Sequence, residues 1–225
     1  MTRPILIFDF DGTIALGDGP VRAYARAVAS ELGEPAGFDQ ALDRAIADGG
    51  SLDGYDAVRR AAETFGASPE LLGRAYAAGR VLLAGPDAPI EAPAGLAALL
   101  AEVDAERVLV TNAPGVRIPE ALEALGLTGL FDRIVTAAGK PDGLAAILDE
   151  YGADARLISI GDIWHNDLAP ADARGHATAL VGGDAPAGVR PTLHAADTAA
   201  LIPALRAWIS PDLTSAPSRI TESEG

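Results

Sequence analysis

The sequence predicts an α/β protein, a doubly wound parallel sheet into which a helical unit is inserted. Three observations lead there. From about Leu96 onward, short apolar runs alternate with helical patterns, as strands joined by crossover helices do. A lone strand-like run, Ile5-Leu6-Ile7-Phe8, stands ahead of a long stretch from Pro20 to Ala84 that reads as helix throughout. Four of the strand-like runs end in acids, amides or Gly-Lys, which gathers polar chemistry on one sheet edge.

Each element has its own signal. Ile5–Phe8 is a short β-rich run closed by Asp9, Asp11 and Gly12, as a buried strand entering a tight turn. Val21–Leu32 has Pro20 at its start and Gly33 at its end, the asymmetry of a helix. Helical patterns follow over Phe38–Ala47, Asp53–Phe65 and Pro69–Leu83, interrupted by Asp48-Gly49-Gly50-Ser51. Pro86, Pro89 and Pro93 make a hinge-like stretch. Leu96–Ala101 is then helix, Arg107–Val110 strand, Ile118–Leu125 helix and Arg133–Thr136 strand. Leu144–Glu150 is helix, Arg156–Ile160 strand, Ala169–Arg174 helix, Thr178–Val181 strand and Ala199–Trp208 a last helix. The expected division is a discontinuous core of residues 1–16 and 87–210, a helical cap of residues 17–86, and a flexible tail of residues 211–225 rich in Ser, Thr, Pro and Glu.

Composition narrows the function. The 225 residues carry 17 Lys+Arg against 32 Asp+Glu, a formal charge of −15. Such a chain repels nucleic acid and anionic membranes, whose binding begins with basic residues neutralising phosphates. An apolar fraction of 49% suffices for a core, and the absence of Cys removes disulfides, thiolate nucleophiles and Cys-ligated zinc. The start of the chain shows no signal peptide and no run is apolar enough to span a bilayer, so a cytoplasmic protein is expected. Sixteen of the basic residues are Arg and one is Lys, which draws the eye to Lys140.

Four strand ends carry candidate chemistry. In Asp9-Phe10-Asp11-Gly12-Thr13, residues two apart share a side, so both carboxylates can face one space. Crowded carboxylates repel unless neutralised, and a hard cation such as Mg²⁺ does so through oxygen ligands. An acidic turn is the plainer alternative. Thr111-Asn112 ends the next strand with a hydroxyl and an amide able to hold a phosphate oxygen, or simply to cap a helix. Lys140, before Pro141, is a compact charge suited to a phosphoryl oxygen or carboxylate, or an ordinary surface Lys. Gly161-Asp162 and Asp167 follow the fourth strand. Asp162 would complete an oxygen-rich metal site, while Asp167 either joins it or caps the next helix.

In this order, each at a strand end, these residues resemble the motifs of the haloacid dehalogenase-like hydrolase superfamily. Asp9–Thr13 is similar to its first motif, Thr111 to its second, Lys140 to its third, and Gly161-Asp162 with Asp167 to its fourth. Leu125-Gly126-Leu127 followed by Leu130-Phe131-Asp132 also resembles a stretch often seen before the third motif, and the helical insert resembles the superfamily's small helical cap. The resemblance implies a Rossmann-like core and Mg²⁺-dependent phosphoryl transfer through an aspartyl-phosphate. Asp9 would be the nucleophile and Asp11 the general acid and base. Asp9, the Asp11 carbonyl and Asp162 would hold Mg²⁺, with Asp167 nearby. Thr111, Lys140 and main-chain N–H groups around Gly12 and Asn112 would hold the phosphoryl oxygens. Asp167 would also orient Lys140 through an ion pair.

The second acid, Asp11, favours phosphate esters, because the superfamily's dehalogenases and phosphonate-cleaving members lack it there. The expected protein is a monomeric or homodimeric phosphatase of a small phosphorylated metabolite. A phosphomutase of the β-phosphoglucomutase type and a catalytically silent binding protein are the alternatives. Specificity is expected in the cap. The candidates are the Asp48–Ser51 loop and Arg22, Arg26, Arg44, Arg59 and Arg60, which could bind a substrate carboxylate or second phosphate. Trp164 and His165 fill the gap between Asp162 and Asp167. His165 reads as loop packing more readily than as a substrate contact, and His176 and His194 as structural.

Overall fold

The computed structural model describes residues 3–210, so the tail expected to be flexible lies outside the described residues. Six parallel strands form one sheet in the order β3-β2-β1-β4-β5-β6. They are β1 (Ile5–Phe8), β2 (Glu106–Val110), β3 (Arg133–Val135), β4 (Leu157–Gly161), β5 (Ala177–Val181) and β6 (Leu193–Ala195). This is the doubly wound order expected of a Rossmann-like sheet.

The central strand shows why. All four β1 residues are buried, and alternate side chains enter different cores. Leu6 and Phe8 pack on one face with residues of α5 (Leu96–Glu102), α6 (Ile118–Ala124) and α9 (Thr198–Ile209). Ile5 and Ile7 pack on the other with α7 (Asp142–Tyr151) and α8 (Ala169–Asp172). β6, absent from the sequence reading, is a three-residue edge strand with an exposed middle residue, too short to make a periodic signal.

Four helices lie between β1 and α5: α1 (Gly19–Glu31), α2 (Phe38–Ala47), α3 (Gly54–Glu63) and α4 (Pro69–Val81). They enclose their own apolar cluster, including Tyr24, Val28, Phe38, Val58 and Leu72. Asp53 caps α3 by accepting the Asp56 N–H at 2.7 Å, and Ser68 caps α4 through the Leu71 N–H at 3.3 Å. Gly79 lets α4 press on α1, since a Cβ there would lie 3.1 Å from the Tyr24 nitrogen. Where the chain leaves the sheet and returns, Leu16 and Glu91 exchange main-chain hydrogen bonds at 2.8 and 2.9 Å. No helix among the described residues is long and apolar enough to cross a membrane.

Candidate active site

The chain runs one way from β1 to β2 and β3, then returns to place β4 on the other side of β1. The carboxyl ends of β1 and β4 therefore flank the point where the winding reverses, where open α/β sheets bind ligands. All the strand-end candidates gather around it.

Asp9 continues the ladder of β1, its N–H donating to the Ile160 carbonyl at 2.9 Å. Phe10 is wholly buried in the core. Asp9 and Asp11 both line the same cavity of about 300 Å³. After Asp11 the chain turns so tightly that the Ile14 and Ala15 N–H groups both reach the Phe10 carbonyl, at 3.0 and 2.9 Å. Gly12 has φ +82°, and a Cβ there would collide with the Asp162 carboxylate, so glycine is needed twice over.

Asp162 leaves the end of β4, and a single π-helical turn, Trp164–Leu168, brings Asp167 back toward it. The Ile163 N–H donates to Asp167 Oδ2 at 3.0 Å, and Ser159 Oγ donates to the Asp167 carbonyl at 2.6 Å. One carboxylate oxygen each from Asp9, Asp162 and Asp167 falls within 4.8 Å of the others. Burial, followed by the charge of Asp9, holds the Asp162 and Asp167 carboxyls above the usual carboxylate range. Three crowded carboxylate oxygens, more negative charge than the single Lys140 ammonium beside them offsets, fit a hard divalent cation such as Mg²⁺. The Asp11 carboxylate, by contrast, stands outside this group and faces the helical insert; the resemblance assigned only its main-chain carbonyl to the metal.

Lys140 bridges the cluster from the far side. Its Nζ lies 2.5 Å from Asp9 Oδ1 and 2.6 Å from Asp167 Oδ1, with the side chain 4% exposed. Burial opposes its charge, but the two carboxylates outweigh it and raise its pKa. Asn112 clips the same loop in place: its Oδ1 accepts the Lys140 N–H at 2.6 Å and its Nδ2 donates to the Lys140 carbonyl at 3.3 Å. The Asn112 amide, expected on a phosphoryl oxygen, is thus engaged in positioning Lys140. Thr111 Oγ accepts the Ala113 N–H at 3.0 Å and lines the cavity. Its own hydrogen can serve a ligand.

The helical insert contributes residues the sequence reading did not single out. Asp53, Tyr55 and Tyr76 line the cavity. Tyr55 Oη donates to Asp11 Oδ1 at 3.2 Å, and Arg80 Nη1 lies 2.9 and 3.2 Å from the two Asp11 oxygens. Burial raises the Asp11 pKa, Arg80 works against that, and Asp9 adds to it. No periodicity marks these residues, since Tyr55 and Tyr76 read as core aromatics and Arg80 as one helix arginine among several.

The expected specificity residues lie elsewhere. None of Arg22, Arg26, Arg44, Arg59 and Arg60 lines the cavity, nor does Asp48–Ser51. Arg22 pairs with Asp18 one helical turn away, and Arg59 with Asp56 and Glu63. Arg26 donates to the Asp87 carbonyl at 2.6 Å and Arg60 to Ser51 Oγ at 3.4 Å. His165 is exposed and outside the cavity lining, His176 is buried, and His194 Nε2 bonds the Gly183 carbonyl at 2.8 Å.

This fold is that of the haloacid dehalogenase-like hydrolases. Similar solved structures include a putative hydrolase of that superfamily, YfnB from Bacillus subtilis, bound to magnesium (18% identity over 92% of this chain and 100% of that one, TM-score 0.62). A haloacid dehalogenase-like family hydrolase from Xanthomonas campestris is similar at 22% identity, 93% of each chain and TM-score 0.58. A putative β-phosphoglucomutase from Thermotoga maritima is similar at 18% identity, 91% and 99% coverage and TM-score 0.56. Structures described as L-2-haloacid dehalogenase and as predicted phosphoglycolate phosphatase share the fold too, so the fold alone does not choose the reaction. No family model matches the chain, and no curated protein matches it in sequence.

Proposed function

We propose that the protein is a Mg²⁺-dependent phosphatase of a small phosphorylated metabolite, working through an aspartyl-phosphate on Asp9. The observation that carries this reading is the division of labour between two carboxylates on one strand end. Asp9 lies in the cation site, where its oxygens can approach an anionic phosphoryl group. Asp11 is held apart by Arg80 and Tyr55, where it can exchange protons. A departing alkoxide needs a proton and a halide does not, so a second carboxyl beside the nucleophile suits ester chemistry.

In the first step Asp9 attacks phosphorus, the bond to the ester oxygen breaks, and Asp11 protonates the departing alcohol. In the second, Asp11 takes a proton from water as that water attacks phosphorus, and inorganic phosphate leaves with Asp9 restored. Mg²⁺, held by Asp9, Asp162 and Asp167, would supply charge neutralisation between carboxylate and phosphate. Lys140 and Thr111 bind the equatorial phosphoryl oxygens as charge spreads over them.

Residues 17–86 act as a cap that excludes water from the catalytic core of residues 1–16 and 87–210. The cysteine-free composition is compatible with the reducing cytoplasm proposed for the protein. The test is a panel of phosphomonoesters with Mg²⁺. Free inorganic phosphate is expected; an isomerised phosphosugar would make the protein a mutase, and no turnover across the panel would make it a silent binder.

A further inference from the structure

The insert adds Asp53, Tyr55 and Tyr76 to the cavity lining, and the charge around the cavity is one-sided. Five carboxylates, Asp9, Asp11, Asp53, Asp162 and Asp167, line the cavity or complete the cation site beside it. The cations in direct contact with them are Lys140 and Arg80, and both are already committed: Lys140 to Asp9 and Asp167, Arg80 to Asp11. A divalent cation and a phosphoryl dianion cancel each other, so net negative charge remains around the leaving group. A second anionic group on the substrate would meet no uncommitted cation among the described residues lining the cavity.

The insert offers instead a carboxylate and two phenol rings. Asp53 has no salt-bridge partner among the described residues, and one of its oxygens accepts the Asp56 N–H while the side chain lines the cavity. Burial raises its pKa, with the neighbouring Asp56 charge adding to that. The Tyr55 and Tyr76 rings meet edge-on at 5.6 Å, and Tyr24 packs against both, at 6.0 and 5.6 Å. A carboxylate beside aromatic faces is the chemistry that recognises an organic ammonium, through charge pairing and cation–π attraction.

From this juxtaposition we infer that the substrate's leaving group carries a positive charge: the protein hydrolyses the phosphate monoester of an amino alcohol, with Asp53, Tyr55 and Tyr76 binding its ammonium group. The inference rests on the phosphatase reading and narrows it.

The experiment compares kcat/KM of the Mg²⁺-loaded full chain on phosphoethanolamine, phosphocholine, glycerol phosphate, phosphoglycolate and p-nitrophenyl phosphate. The amine esters are expected to exceed phosphoglycolate by at least about tenfold, the scale of a single well-placed charge contact. Asp53→Asn is expected to lower the ratio of amine-ester to p-nitrophenyl phosphate kcat/KM about tenfold, mainly through KM. Asn keeps the helix cap, so α3 is retained in that variant. Equal or better use of phosphoglycolate or glycerol phosphate overturns the inference, as does an unchanged ratio in Asp53→Asn. If none of these esters is cleaved, the phosphatase reading fails instead. Choline titration followed by NMR then decides the ammonium site on its own: binding lost in Asp53→Asn supports it, and no binding overturns it.

Discussion

Arg80, at the end of the insert's last helix, reaches Asp11 with one guanidinium nitrogen placed 2.9 and 3.2 Å from its two oxygens. Arg80 is 1% exposed and stacks over the Phe10 ring at 5.6 Å, so the pair joins the insert to the sheet across low-dielectric surroundings. Its Nε and Nη2 have no hydrogen-bond partner among the described residues. The side chain is therefore held by one anion, and that anion is the proposed acid and base.

Arg80→Met is expected to destabilise the protein by about 1–3 kcal/mol, because the partly buried Asp11 carboxylate loses its counter-charge. The double variant with Asp11→Asn should lose less than the sum of the singles. A coupling of about 1–3 kcal/mol in a denaturant-unfolding cycle checks this, and strict additivity contradicts it. Since Arg80 opposes the burial-driven rise of the Asp11 pKa, its removal should also move the basic limb of the kcat/KM profile to higher pH.

Asp11→Asn should slow hydrolysis of alkyl phosphates by about 10²–10⁴-fold, the usual size of general acid–base catalysis. Its first step should be far less affected with p-nitrophenyl phosphate, whose leaving group departs without a proton. Steady-state rates on both esters, with burst measurements to separate the steps, show whether the deficit depends on the leaving group. Asp9→Asn should abolish turnover of both while the thermal transition persists.

Magnesium should stabilise the protein more at higher pH. Asp162 and Asp167 have folded-state pKa values raised by burial and by Asp9, so the folded protein binds protons more tightly than the unfolded chain. The contribution of these two carboxyls to the stability of the metal-free protein is then fully present below the ordinary carboxylate range and is lost as pH rises through their raised values. The cation relieves that repulsion only where the carboxyls are ionised. At about a hundred times its Kd it should contribute about 2.7 kcal/mol, which is about 5–10 °C in Tm for a chain of this size. Melting with Mg²⁺ or EDTA at pH 5.5 and pH 8 tests the sign, and a larger effect at pH 5.5 contradicts it.

Gly161→Ala should keep the sheet and lose the cation. A Cβ at this position would overlap the Asp167 side chain, which must then move from the position where it meets Asp9, Asp162 and Lys140. The Mg²⁺-dependent rise in Tm should shrink or vanish in this variant, while far-UV circular dichroism stays that of the parent protein.

The local code of the chain determined the sheet and the polar ends of its strands. Ile5–Phe8 and Leu157–Gly161 are buried on both faces, so their apolar runs are visible without knowing what covers them. Asp9, Lys140, Asp162 and Asp167 could be picked out because turn residues and a solitary Lys mark them, and the sheet's winding brings them together. The leaving-group side of the cavity was decided only by tertiary structure. Arg80 differs from Arg22 or Arg59 in nothing that sequence records; one is buried against Asp11, the others pair with acids on their own or an adjoining turn. Asp53 and Tyr55 at the start of α3 and Tyr76 on α4 reach the cavity, and which insert faces meet it depends on how the insert's helices pack on one another, not on the periodicity of any one of them. A helix's own periodicity says that one face is covered, and only the neighbours it meets say whether the covering is core or active site.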